Sequence, residues 1–203
     1  MLAVPASASI VASAGPANNY SRALLFPGTG VYSVGWSQTS TYSSVAISIA
    51  VADYVLVTGG ASGTITAYLT DQVGATTTML LNELVPSVIV PYPAFQSGLL
   101  TVFSGLTLGP GTYWLTVTGT AGDFALIGEN PSPTVVLDPG VTILGYAIDC
   151  CTPSAYIPSQ VNPWVFSAWG FEVTGVSAVP EPGSGLLALA PLGLLWYLRA
   201  RQK

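Results

Sequence analysis

Between residues 20 and 176 the apolar residues of this chain recur with a period of two, not 3.6. In residues 45–51, Val45, Ile47, Ile49 and Val51 fall on one face and small residues on the other. In residues 64–69, Ile65, Ala67 and Leu69 face one way while Thr64, Thr66 and Tyr68 face the other. Residues 112–118 and 165–174 alternate likewise. Alternation of this kind, rich in Val, Ile, Thr and aromatics, marks strands with one face buried. Turn residues separate the runs, at Gly59-Gly60, residues 71–74, Gly109-Pro110-Gly111, residues 119–122 and Asp138-Pro139-Gly140. Many short strands and no amphipathic helical window predict an all-β, antiparallel β-sandwich over residues 20–176, jelly-roll-like in topology.

Composition excludes several functions. Only 6% of the residues are charged, the formal net charge is −5, and there is no histidine. A nucleic-acid binder needs a basic face to neutralise phosphate, and this chain has four bases in all. Without histidine there is no Ser-His-Asp or Cys-His activation and no histidine-bound zinc. The chain is 50% hydrophobic, too apolar for intrinsic disorder.

Three of the four bases, Arg199, Arg201 and Lys203, stand in the last five positions. Residues 186–198 before them are uncharged and apolar. With Gly183, Ser184 and Gly185 the uncharged stretch would be about 24 Å long as a helix. A hydrocarbon core is about 30 Å thick, so a short transmembrane helix needs local thinning and snorkelling arginines. Trp196 and Tyr197 sit where an aromatic belt would meet the headgroups. Positive-inside logic makes residues 199–203 a basic cytoplasmic tail and stop, with the preceding domain outside the cytoplasm.

Residues 177–185 form a Pro/Gly linker containing Val179, Pro180, Glu181 and Pro182. Each proline blocks helix and holds the preceding residue extended, which presents a stretched peptide with Glu181 as its charge. Pro-Glu-Pro, a short hydrophobic helix and an arginine-containing end resemble, in that order, the PEP-CTERM sorting signal of Gram-negative bacteria that make exopolysaccharide. The resemblance covers residues 179–203. It implies an exosortase-type membrane protease or transpeptidase as partner, cutting near the motif after transient anchoring in the inner membrane. It also implies export machinery, a place in the cell envelope or outside the cell, and exopolysaccharide as a further partner. Residues 106–115 resemble a segment of secreted bacterial β-sandwich domains, and residues 35–42 are similar to the openings of PEP-CTERM ectodomains.

An exported chain needs a leader. Residues 1–14 read as the last part of a signal peptide, with small-x-small cleavage patterns at Ala6-Ser7-Ala8 and Ala12-Ser13-Ala14. No base precedes Arg22, which fits a leader whose beginning lies upstream.

Three constellations remain for chemistry. Trp36, Tyr42, Trp114, Trp164 and Trp169 are candidates for stacking on sugar rings, as in a carbohydrate-binding module, with Trp114 the outward-facing member. The competing reading is core and cross-strand packing. Eight acids, Asp53, Asp71, Glu83, Asp123, Glu129, Asp138, Asp149 and Glu172, lie too far apart in sequence for a local calcium loop. A two-carboxylate glycoside hydrolase would have to assemble its pair from distant strands, and the solvated-turn reading competes with it. Cys150 and Cys151 are the only cysteines. They allow a strained vicinal disulfide, two free thiols, or a bridge to another chain. The sequence thus points to a non-enzymatic surface or matrix protein, with no catalytic residue, metal site or cofactor assigned.

Overall fold

A computed structural model describes residues 7–15, 21–25, 30–51, 63–73, 83–92, 98–122, 125–130, 134–150, 161–162 and 168–178. Its strands are β1 (Ser9–Gly15), β2 (Ser21–Leu25), β3 (Gly30–Gln38), β4 (Tyr42–Val51) and β5 (Gly63–Thr70). Next come β6 (Glu83–Tyr92), β7 (Gly98–Leu108), β8 (Gly111–Gly122), β9 (Ala125–Asn130) and β10 (Thr134–Leu137). The last are β11 (Val141–Cys150), β12 (Val161–Asn162), β13 (Ala168–Trp169) and β14 (Phe171–Ser177). Among the described residues there is no helix, as the period of two requires.

The strands form antiparallel sheets. One has the order β10-β1-β14-β4-β7, a second β12-β11-β3-β8-β5-β6, and a small third β13-β9-β2. Consecutive strands change sheet repeatedly, so most neighbours within a sheet are distant in sequence. The third sheet grows out of the other two. Strand β2 leads into β3 and β9 follows β8, so the β2–β9 pair prolongs the β3–β8 ladder, while β13 leads into β14.

The core lies between the two large sheets. Val11, Val45, Ile47, Phe171 and Val173 come to it from the five-stranded sheet, and Trp36, Ile65, Leu69 and Leu115 from the six-stranded one. The Trp36 ring stacks on Tyr113 of its own sheet at 5.6 Å and on Phe171 of the opposite sheet at 6.2 Å. Contacts of this geometry add to the burial of three large rings. Alternation therefore identifies the inward face correctly in β4, where Val45, Ile47, Ile49 and Val51 are buried, and in β5, where Ile65, Ala67 and Leu69 are.

Alternation does not reveal that the other face of the six-stranded sheet is also covered. Ser33, Thr66, Thr70, Thr116 and Thr118 all lie there and are buried. Small hydroxyls tolerate this because they can satisfy one another, as the 2.7 Å hydrogen bond between Ser33 Oγ and Thr116 Oγ1 does. At the edge of the same sheet among the described residues, β6 carries Pro86 and Pro91, each of which lacks an N–H to offer a further strand.

One boundary moves. The sequence reading starts the domain at residue 20 and assigns residues 1–14 to a leader, but the five-stranded sheet reaches back to Ser9. Strand β1 lies between β10 and β14, with Val11, Ala12 and Ala14 buried. Only Ile10 and Val11 of its seven residues carry β-branched bulk and the rest are small, so no alternation announces a strand and sequence reading passes over it. At the other end the last described residue is Ala178. The hydrophobic helix expected at 186–198 and the basic tail at 199–203 lie outside the described residues.

Candidate functional site

Gln38 organises one end of the sandwich. It is the last residue of β3 and shares the inward parity of Val34 and Trp36. Its Nε2 donates to the carbonyls of Leu108 at 3.1 Å, Gly109 at 3.0 Å and Ser40 at 3.1 Å. Its Oε1 accepts the Trp36 indole N–H at 3.2 Å. The Tyr113 hydroxyl donates to the same Gly109 carbonyl at 2.7 Å, and burial raises its pKa. Carbonyls where β7 passes into the turn before β8 thus find buried donors, without which each would carry a desolvation cost.

The neighbouring turn between β10 and β11 is held in the same manner. The Val141 N–H donates to the Asp138 carbonyl at 3.1 Å, with Pro139 second and Gly140 third in the turn. Gly140 has φ +80°, which a type II turn needs at that place. A Cβ there would also run into the Thr39 hydroxyl. The Thr39 N–H donates to the Gly140 carbonyl, and the Asp138 N–H to the Val11 carbonyl in β1. The Tyr42 hydroxyl donates to Asp138 Oδ2 at 2.8 Å. Burial first, then the hydrogen bond and charge of Asp138, push the Tyr42 pKa up to about 12. Asp138 thus stands in a turn, as the sequence reading has it, but is half-buried and bonded across the end of the sandwich.

Strand β1 starts and strand β14 ends beside this cluster. The Ala178 N–H donates to the Thr41 carbonyl at 2.9 Å, just after the end of β14. At the start of β1, Ser9 is paired with Gly175. Val179, Pro180, Glu181 and Pro182, where the sequence reading expects a sorting motif, follow Ala178 directly in sequence. They lie outside the described residues, as do Arg199, Arg201 and Lys203.

The sugar-stacking expectation is corrected for three of its five members. Trp36 has 0% of its surface exposed, Tyr42 1% and Trp114 5%. Trp36 is sandwiched in the core, and Tyr42 is turned inward toward Asp138. Trp114 does point away from Tyr113 and Leu115, as alternation demands, but lies against Gly35 on a covered face. A ring without exposed surface offers no face to a sugar, so these three residues form no stacking platform. Trp164 lies outside the described residues, and of Trp169 only the strand backbone in β13 is described.

The remaining candidates are scattered. Cys150 ends β11 and Cys151 lies outside the described residues. Asp71 follows β5, Glu83 opens β6, and Glu172 lies in β14. Glu129 and Asp149 belong to β9 and β11 by backbone, while Asp53 and Asp123 lie outside the described residues. No three acids or cysteines gather among the described residues. A gap between the sheets, lined by Tyr32, Val34, Ile49, Leu115, Val117 and Phe171, measures about 10 Å³, room for one water.

Gln38 is the residue that sequence reading missed. The signal was present: an amide at an inward position, two residues after a tryptophan, in a strand otherwise apolar on that face. The chemistry of the whole cluster is mechanical. It fastens three turns, and joins them to strand β1 and to Ala178 behind β14, at one end of the sandwich. No protein-family model, no curated protein and no solved structure matches this chain.

Proposed function

We propose that this is a non-enzymatic, exported protein of a Gram-negative bacterium, sorted by an exosortase to the cell surface or the extracellular matrix. Its body is a jelly roll, and residues 186–198 are a transmembrane helix that holds it at the inner membrane until the tail is processed. Residues 199–203 stop transfer on the cytoplasmic side. Export machinery, the exosortase and exopolysaccharide are its partners.

The observation that supports this reading is how closely the motif follows β14 along the chain. The last strand among the described residues ends at Ser177, and the motif Pro180-Glu181-Pro182 begins two residues past Ala178, whose N–H is bonded to Thr41. A tail removed at that motif would take away no strand among the described residues. The jelly-roll reading draws on the strand orders β1-β14-β4-β7 and β3-β8-β5-β6. These are two four-stranded sheets exchanging consecutive strands, with β10, β11 and β12 added at the edges. A low-charge surface rich in Ser, Thr and Gly suits a durable component of extracellular polymer.

Replacement of Pro180, Glu181 and Pro182 together by alanine tests the proposal. Cells carrying the variant should accumulate uncut precursor in the inner-membrane fraction. A distribution identical to that of the unaltered protein would overturn the sorting function.

A further inference from the structure

We infer that the exported, folded form of this chain begins at Ser9, after a cut between Ala8 and Ser9, and not at Gly15, after a cut behind Ala14. The inference rests on the exported reading above and goes beyond it by assigning the bond. The sequence offers two small-x-small patterns six residues apart, and by pattern alone they are equivalent. The structure makes them different. Ser7 and Ala8 are exposed ahead of the sheet, and Ser9 is the first residue of β1. Hydrolysis of the Ala8–Ser9 amide places a carboxylate on Ala8 and an ammonium on Ser9, water supplying the oxygen and hydrogens. The new charge then sits on an exposed residue at the mouth of a strand, and every ladder bond of the sheet survives.

A cut after Ala14 has a different product. It would leave only Gly15 of β1. That strand is bonded on both sides, to β10 through pairs such as Ala12 with Leu137, and to β14 through Ser9 with Gly175 and Ala14 with Phe171. Its removal would strip both neighbours of their partner, delete Val11, Ala12 and Ala14 from the core, and take away the carbonyl that accepts the Asp138 N–H. Strand β10 would be left without any sheet partner among the described residues. Buried backbone groups lacking partners are strongly disfavoured, and the gap could not be closed by small rearrangements. The protease acts on an extended chain in transit, so the fold does not shield either bond. It decides which product closes the sandwich and persists.

N-terminal sequencing decides the matter on protein recovered from outside the cytoplasm of cells carrying the gene with its own upstream DNA. The predicted first residue is Ser9. A chain starting at Gly15, or at any other residue, in the exported fraction overturns the assignment while leaving export intact. Uncut protein confined to the cytoplasm would instead contradict the exported reading itself. A second variant guards the result: Ala8→Leu places a bulky residue beside the bond at a position exposed in the fold. It should cut processing at least tenfold and accumulate precursor, and undiminished processing would overturn the assignment.

Discussion

The Trp114 indole lies directly against the backbone of Gly35, its Cα partner across the β3–β8 ladder. A Cβ at position 35 would stand 2.7 Å from the Cδ2, Cε2 and Cε3 atoms of that ring. No ordinary contact between carbons is that short. The indole is rigid and covered, so it has no flexible end to move aside. Gly35→Ala should therefore destabilise the domain by about 1–3 kcal/mol, the usual cost of overpacking a close-packed site. Chemical denaturation followed by tryptophan emission measures it, and an unchanged midpoint would mean the ring does not occupy this place.

The Tyr42–Asp138 bond predicts a loss of stability in alkali. The folded-state pKa of Tyr42 is about 12 against an ordinary value of 10.0, so its stabilising contribution is complete below pH 10. It is lost as the pH climbs from 10 to 12, because the unfolded chain releases its proton first. Tyr42→Phe should be less stable at neutral pH by about 1.5–3 kcal/mol, the usual worth of a hydrogen bond to a charged group. The variant should also lose this part of the alkaline slope. Parallel slopes for the two proteins between pH 10 and 12 would contradict the assignment.

Gln38→Glu tests the clamp at the end of β3. The exchange preserves shape but turns an oxygen toward three carbonyls that now receive an N–H. At pH 7 the variant should be less stable by about 3 kcal/mol or more, since a buried charge faces acceptors. The introduced carboxyl would have a raised folded-state pKa, so stability should recover as the pH falls toward the ordinary glutamate value of about 4.3. Protonated, the group can donate one hydrogen bond. Gln38→Leu should show the deficit without the recovery, and a Gln38→Glu profile as flat as that of Gln38→Leu would count against the clamp.

How far the fold was legible depended on side-chain size. Val45, Ile47, Ile65 and Leu69 alternate with small or polar residues, so class, antiparallel sheets and inward faces could be read from their parity. Strand β1 was not legible. Ala12, Ser13 and Ala14 fit a leader's cleavage pattern and a tightly packed central strand equally well, because both demand small side chains. The aromatic site failed for a related reason. Parity places Trp114 on the outer face but carries no information on whether that face meets water. Gln38 and Asp138 were underread because their partners, Leu108, Gly109 and Tyr42, are brought to them by turns distant in sequence.

The most direct test of the account is the carboxyl terminus of the protein as it occurs outside the inner membrane. Peptide mapping by mass spectrometry should find the strand β14 segment intact and a new terminus at or beside Pro180, Glu181 and Pro182. No peptide from residues 186–203 should appear. A chain still ending in Arg201-Gln202-Lys203 would contradict the account, because the tail would then be a lasting part of the protein.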